Sequence, residues 1–187
     1  MPRRFRTDLM RSLVVLCLFA LPLRSGAEEI SGDWVTAGSR PQAYEMGTDT
    51  EVSAVGDSSS TIRSIKKRIN GFGTLMQKIP AAEYHGKRIR LSGFMKTEGV
   101  KDWACFWLRV DGHKRKKMLA FDNMKRRLIR GTREDWTQYR LVLDVADEAK
   151  DIAFGFLLVG VGQIWADGIE LEVVGDDVPV TDMLLEP

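Results

Sequence analysis

The chain has 187 residues, 44% of them hydrophobic and 29% charged, with a formal net charge of +2 and two cysteines. That length is enough for one hydrophobic core. Beyond residue 23 no stretch is long and apolar enough for a membrane helix, which takes about 20 residues, and two cysteines rule out a disulfide framework.

Taken in chain order, the first element is a leader. Arg3, Arg4, Arg6 and Arg11 precede the apolar run LVVLCLFALPL (13–23), and Ser25-Gly26-Ala27 follow. A basic start, a short apolar centre and a small-residue end mark residues 1–27 as a secretory signal peptide. Cys17 follows the bulky Val15 and Leu16 instead of the small residues that precede a lipid-bearing cysteine, so a plain leader is read over a lipoprotein signal. Cleavage after Ala27 removes five arginines and Asp8 and brings the net charge to about −2. The expectation is an exported protein, periplasmic or extracellular, with one cysteine, Cys105. That residue lies in an apolar run with no histidine within five positions, which reads as an inert buried thiol.

The periodicity after residue 28 is that of strands. Short ones are predicted near Trp34 and over 61–65, 74–79 and 118–121. GKRIRLSGFMKT (86–97) sets Ile89, Leu91 and Met95 against Arg88, Arg90 and Ser92, the alternation of a sheet with one buried face. In WACFWLRV (103–110) Trp103, Cys105, Trp107 and Arg109 share one face, and Ala104, Phe106, Leu108 and Val110 the other. The stretch AFDNMKRRLIRGTREDW (120–136) reads as a strand end, a loop turned back at Gly131-Thr132, and the start of the next strand at Trp136. WTQYRLVLDV (136–145) alternates again, ADEAK (146–150) has room for one helical turn, and DIAFGFLLVG (151–160) is apolar on both faces, as a central strand would be. In QIWADGIELEVV (163–174) Gln163, Trp165 and Asp167 share a face, while Ile169, Leu171 and Val173 point inward. Turns are expected at 84–86, 110–112, 129–131 and 160–162. Eight or nine short strands without helices predict an all-β fold, a two-sheet antiparallel β-sandwich of jelly-roll form, over 28–176, with a short tail at 177–187.

The inventory for catalysis is thin. Beyond the leader there are two histidines, His85 and His113, neither at a zinc-ligand spacing, and no Gly-x-Ser-x-Gly elbow. GVGQ and GFGT sit between strands and not ahead of a helix, so they make no phosphate cradle, and nothing calls for a cofactor. A carboxylate pair of the glycosidase type depends on the fold, so a small hydrolase stays open as the lesser alternative. The aromatic faces say more. Indoles beside Arg109, Gln163 and Asp167 suit stacking on a sugar ring with polar groups at its hydroxyls, although tryptophans also fill cores. The basic clusters IKKR (65–68), HKRKK (113–117) and KRR (125–127) form local positive patches, suited to anionic groups or to protecting edge strands. Nucleic acid is not expected as a partner, since export removes it and no recognition helix is predicted.

The segments LMQKIPAAEYHGKRIRLSGFMKT, WLRVDG, AFDNM, GTREDWTQYRLVLDV and IAFGFLLVGVGQIWADGIELEVV together resemble a bacterial jelly-roll accessory domain of the galactose-binding-like type, over roughly residues 32–176. Related domains are joined to hydrolases, peptidases and transcription regulators. The patterns Q-x-I-P-A…Y-x-G-K-x-x-R-L-S-G and W-x-D-x-I-x-L-E are also similar to carbohydrate-binding modules of this fold. The resemblance implies a ligand face or end-loop site and no catalytic residue. Cys105-Phe106 and Arg127-Leu128-Ile129 depart from the family pattern. Gly168 stands where the family carries a second acid, which leaves a calcium site at Asp167 without support. These 187 residues carry no attached enzyme or DNA-binding domain, so action alone or with a partner is expected.

The reading that follows is a non-catalytic binding module for a carbohydrate or cell-envelope polymer. Its candidate contacts are Trp103, Trp107, Arg109, Gln163 and Trp165 on the sheets and Asp122 and Asn123 at the rim. The alternative is a protein-interaction subunit of a periplasmic assembly that uses the basic patch.

Overall fold

A computed structural model describes residues 28–29, 34–113 and 117–184. The expected leader, the 114–116 part of the HKRKK cluster and the last three residues lie outside them. Ten strands follow in order: β1 (Glu28–Glu29), β2 (Val35–Gly38), β3 (Tyr44–Asp49), β4 (Ser59–Ser64), β5 (Phe72–Pro80), β6 (Arg88–Gly112), β7 (Met118–Asp122), β8 (Ile129–Asp144), β9 (Ala149–Val159) and β10 (Gln163–Val174). Every pairing is antiparallel. Among the described residues there is no α-helix, only 3-10 turns at Pro41–Ala43 and Ala82–Tyr84, and none long and apolar enough to cross a membrane. The expected helical turn at 146–150 is a tight turn closed by Ala149 N–H on the Ala146 carbonyl.

The two layers of the sandwich share one strand. The first part of β6 pairs with β10 and β8, its last part with β9 and β7. One sheet therefore runs β8–β6–β10–β4–β3, with β1 beside the end of β10, and the other runs β2–β5–β9–β6–β7. The two runs read separately in the sequence, 86–97 and 103–110, are halves of this one strand, joined through an irregularity at Glu98-Gly99 where Gly99 takes a φ of 60°.

Alternation fills the space between the sheets. Ile89, Leu91 and Met95 from one half of β6 and Ala104, Phe106, Leu108 and Val110 from the other are all within 1% of full burial, and Ile152 to Leu158 of β9 is buried on both faces. Phe106 meets Phe156 edge-on at 6.2 Å, and Trp34 meets Phe156 at 5.7 Å, the T-shaped geometry aromatic rings favour. In β10 the core face changes parity, with Ile164 and Ala166 inside before Asp167 and Leu171 inside after it. An extra residue between Asp167 and Glu170 causes this, and Gly168 takes the left-handed φ of 54° that such a bulge needs. Val173 pairs with the buried Ile89 and so shares its face, but at the strand end it stands 49% exposed.

Two expectations change. Residues 129–135, read as loop, belong to β8, paired to β6 through irregular register at Ala104↔Ile129, Val100↔Gly131 and Thr97↔Arg133. Residues 44–49, not read as a strand, form the edge strand β3 beside β4. The segment after β10 also has defined partners. Arg88 Nη1 donates to the Asp176 and Val178 carbonyls, at 2.7 and 2.8 Å. Thr181 exchanges hydrogen bonds with Val142 of β8, and Met183 and Asp182 do so with Phe121 of β7. Residues 176–184 thus cover one edge of each sheet, β8 and β7, at once.

Candidate functional site

A groove of about 590 Å³ runs over the outer face of the β2–β5–β9–β6–β7 sheet. Its floor follows from strand register. Phe72, Val159 and Trp103 lie in one row across β5, β9 and β6, while Met76, Gly155 and Trp107 lie in another. The indole of Trp107 reaches across β9, and its Nε1–H donates to Thr74 Oγ1 on β5 at 3.0 Å. Thr74 in turn donates to the Phe156 carbonyl at 2.7 Å. A Cβ at position 155 would collide with the Leu75 carbonyl oxygen, so glycine is required where β5 and β9 approach this closely. Trp107 is 7% exposed and forms floor, whereas Trp103 is only partly buried and offers the indole surface of the groove.

Arg109 closes one side. Its guanidinium lies 5.9 Å from the centre of the Trp107 ring and is paired with Asp111 at 2.9 Å, a cation–π contact with its charge balanced. Phe121 stands opposite Arg109 on β7, and Asn123 follows it into the groove. Asn123 Oδ1 is buried and has no hydrogen-bond partner among the described residues. A turn of unusual backbone holds it there. Met124 takes φ 57°, the sole positive φ outside glycine among the described residues, with its side chain buried. Asp122 Oδ1 accepts the Met124 N–H at 2.6 Å, and Oδ2 accepts from Arg127 at 3.1 Å. Strained residues of this kind persist where their surroundings over-determine them. Between the two indoles in β6, Cys105 is fully buried, and burial, with the Asp122 charge adding to it, pushes its thiol pKa well up, as an inert thiol requires.

Of the seven candidate contacts, Trp103, Trp107, Arg109 and Asn123 come together in this groove. Asp122 is 2% exposed and its carboxylate is engaged by Met124 and Arg127, so it supports the turn and does not face a ligand. Gln163 and Trp165 belong to the other sheet. Trp165 is 7% exposed and donates through Nε1 to Asp49 at 2.8 Å, the largest cause of that carboxyl's lowered pKa. Gln163 lines a separate hollow of about 490 Å³ with Glu45, Asp49, Thr61 and Arg63. Asp167 anchors a loop by accepting the N–H groups of Ala54 and Val55 at 2.6 and 2.8 Å. Among the described residues no group of three or more His, Cys, Asp or Glu could hold a metal ion.

Sequence reading missed Thr74, Phe72 and Asn70. Phe72, Thr74 and Met76 alternate on one face of β5, but only strand order places that face beside Trp107. It also missed Tyr44, which is 6% exposed and whose hydroxyl lies 2.9 Å from the Gly160 carbonyl and 3.1 Å from that of Gly71. Burial pushes the Tyr44 pKa up to about 12.

No family model matches the chain. It is 43% identical over 151 residues to the uncharacterized HTH-type transcriptional regulator YbfP of Bacillus subtilis (strain 168), a match covering 80% of this chain and 50% of YbfP. The chain thus spans about half the length of the curated relative it matches. The CBM22-1 xylan-binding domain of Paenibacillus barcinonensis Xyn10C superposes with a TM-score of 0.52 at 11% identity, over 79% of this chain and 90% of that one. A family 16 carbohydrate-binding module gives 0.52 at 18% identity, over 74% and 89%. The chain has the β-sandwich fold of these modules.

Proposed function

We propose that this chain is an exported, non-catalytic binding domain that holds a carbohydrate or cell-envelope polymer along the groove of Trp103, Trp107, Arg109 and Asn123. The observation that carries the reading is the partly buried indole of Trp103, which lies with Arg109 and Asn123 along an open groove of about 590 Å³ floored by Trp107. Trp103 supplies the stacking surface, and the floor beneath it is fixed by the Trp107–Thr74 bond. The sandwich shared with carbohydrate-binding modules is consistent with this use.

The likeness to YbfP fits a binding role as well. A helix-turn-helix consists of two helices, and the described residues contain no α-helix, so the DNA-reading element named for YbfP has no counterpart among them. The test is retention of the purified chain on immobilised polysaccharides and cell-wall fractions, with Trp103→Ala as the variant. Retention on at least one of them, lost in the variant with its circular dichroism unchanged, is expected; equal retention by both proteins would remove the groove from the site. The alternative use of the basic patch for a protein partner has less support, because Lys117 is paired with Glu148 and Arg127 with Asp122.

A further inference from the structure

At the Trp103 end of the groove three loops and the middle of β6 are tied into one rim. Arg40 N–H donates to the Phe72 carbonyl, Ile65 N–H to Ala43, Gly160 N–H to Gly71, and Lys101 N–H to Val161. Tyr44 joins Gly71 and Gly160 from below. Gly71 and Phe72 line the groove, and the side chain of Arg40 lies directly against Gly71. This rim carries Arg40, Lys66, Lys67, Arg68 and Lys101, all exposed. None of the five has an ion-pair partner among the described residues. The carboxylates in the same segments are Glu98 and Asp102, both in β6. At the other end Arg109 is neutralised by Asp111. The groove is therefore polarised, with an excess of unpaired positive charge at one mouth.

Resting on the groove reading above, we infer that the ligand is an anionic polysaccharide, whose carboxylate or phosphate groups meet the Arg40, Lys66–Arg68 and Lys101 rim while its sugar rings lie over Trp103 and toward Asn123. A solvated turn needs no such clustering beside an indole-lined groove. Exposed cations attract an anionic chain over a screening length of about 8–10 Å at ordinary ionic strength, so binding weakens as salt rises.

The experiment compares retention on polygalacturonate, phosphomannan, neutral galactan and single-stranded DNA, at about 0.05 M and about 0.5 M salt. The wild-type chain is set beside Trp103→Ala and the triple variant Lys66→Glu, Lys67→Glu, Arg68→Glu, which alters only exposed loop positions. Salt-sensitive retention on polygalacturonate or phosphomannan, weakened roughly tenfold by the triple variant and also lost in Trp103→Ala, is expected; which polymer is held tells carboxylate from phosphate. Galactan held equally well, with no effect of charge reversal but loss in Trp103→Ala, overturns the inference and leaves the groove reading standing. Retention that survives Trp103→Ala, or a preference for DNA, also overturns it. Retention on none of the four overturns both.

Discussion

Asn123 is held at a cost. Its Oδ1 is buried without a partner among the described residues, its neighbour Met124 occupies left-handed backbone, and a buried carboxylate, Asp122, is engaged by that turn. The first two features work against stability, by about 1–3 kcal/mol for the acceptor and about 1–2 kcal/mol for the backbone. Asn123→Ala is therefore expected to leave the denaturant midpoint unchanged or raised, while polysaccharide retention falls roughly tenfold, the equivalent of about 1.4 kcal/mol. A midpoint that drops with retention intact would make Asn123 an ordinary turn residue. Asp122→Ala should behave in the opposite way, because it frees Arg127 and the Met124 N–H together and lets the turn relax. Trp103 and Trp107 also divide their roles at this scale, since Trp107 is bonded into the sheet through Thr74 and Trp103 is not fully covered.

Among the elements, β6 and the 176–184 segment set the geometry. β6 carries the core of both sheets and the Trp103–Arg109 face, so its alternation was legible wherever one face was apolar. Sequence reading failed where that contrast fades. Arg130 to Asp135 is polar on both faces and carries Gly131, so the start of β8 looked like a loop, and the edge strand β3 reads YEMGTD. The shared face of Trp103, Trp107 and Arg109 was readable because period-2 spacing is local. The separation of Gln163 and Trp165 was not, because it depends on which sheet β10 joins. The 176–184 segment was hidden for a similar reason: its partners, Phe121 and Val142, lie 39 or more residues away. Ending the chain after Gly175 is expected to lower stability by roughly 2–4 kcal/mol through the lost edge hydrogen bonds. It should also promote self-association at the exposed β7 and β8 edges. Sedimentation and chemical denaturation of the shortened chain check both; an unchanged midpoint would show the segment to be a passenger.

For the molecule as a whole, the strand shared by both sheets links the loops at one end, the groove and the covered edges in one folding unit. Tyr44 gives that end a pH limit. Its hydroxyl has a pKa of about 12 in the fold against 10.0 for an unperturbed tyrosine. The native state therefore keeps its proton longer than the unfolded chain does. The contribution is fully present below pH 10, is lost as pH rises toward about 12, and is on the order of 2 kcal/mol. Alkaline denaturation should show this loss in the wild type and not in Tyr44→Phe; identical profiles would assign the transition to other groups. The position of Cys105 has a separate consequence. Its side chain shares the face of Trp103 and Trp107, between them in β6, and is fully buried, out of reach of solutes while that layer is closed. An alkylating reagent can therefore modify it only during brief openings, so the labelling half-life becomes a clock for the breathing of this layer, one that an occupant seated above it would slow.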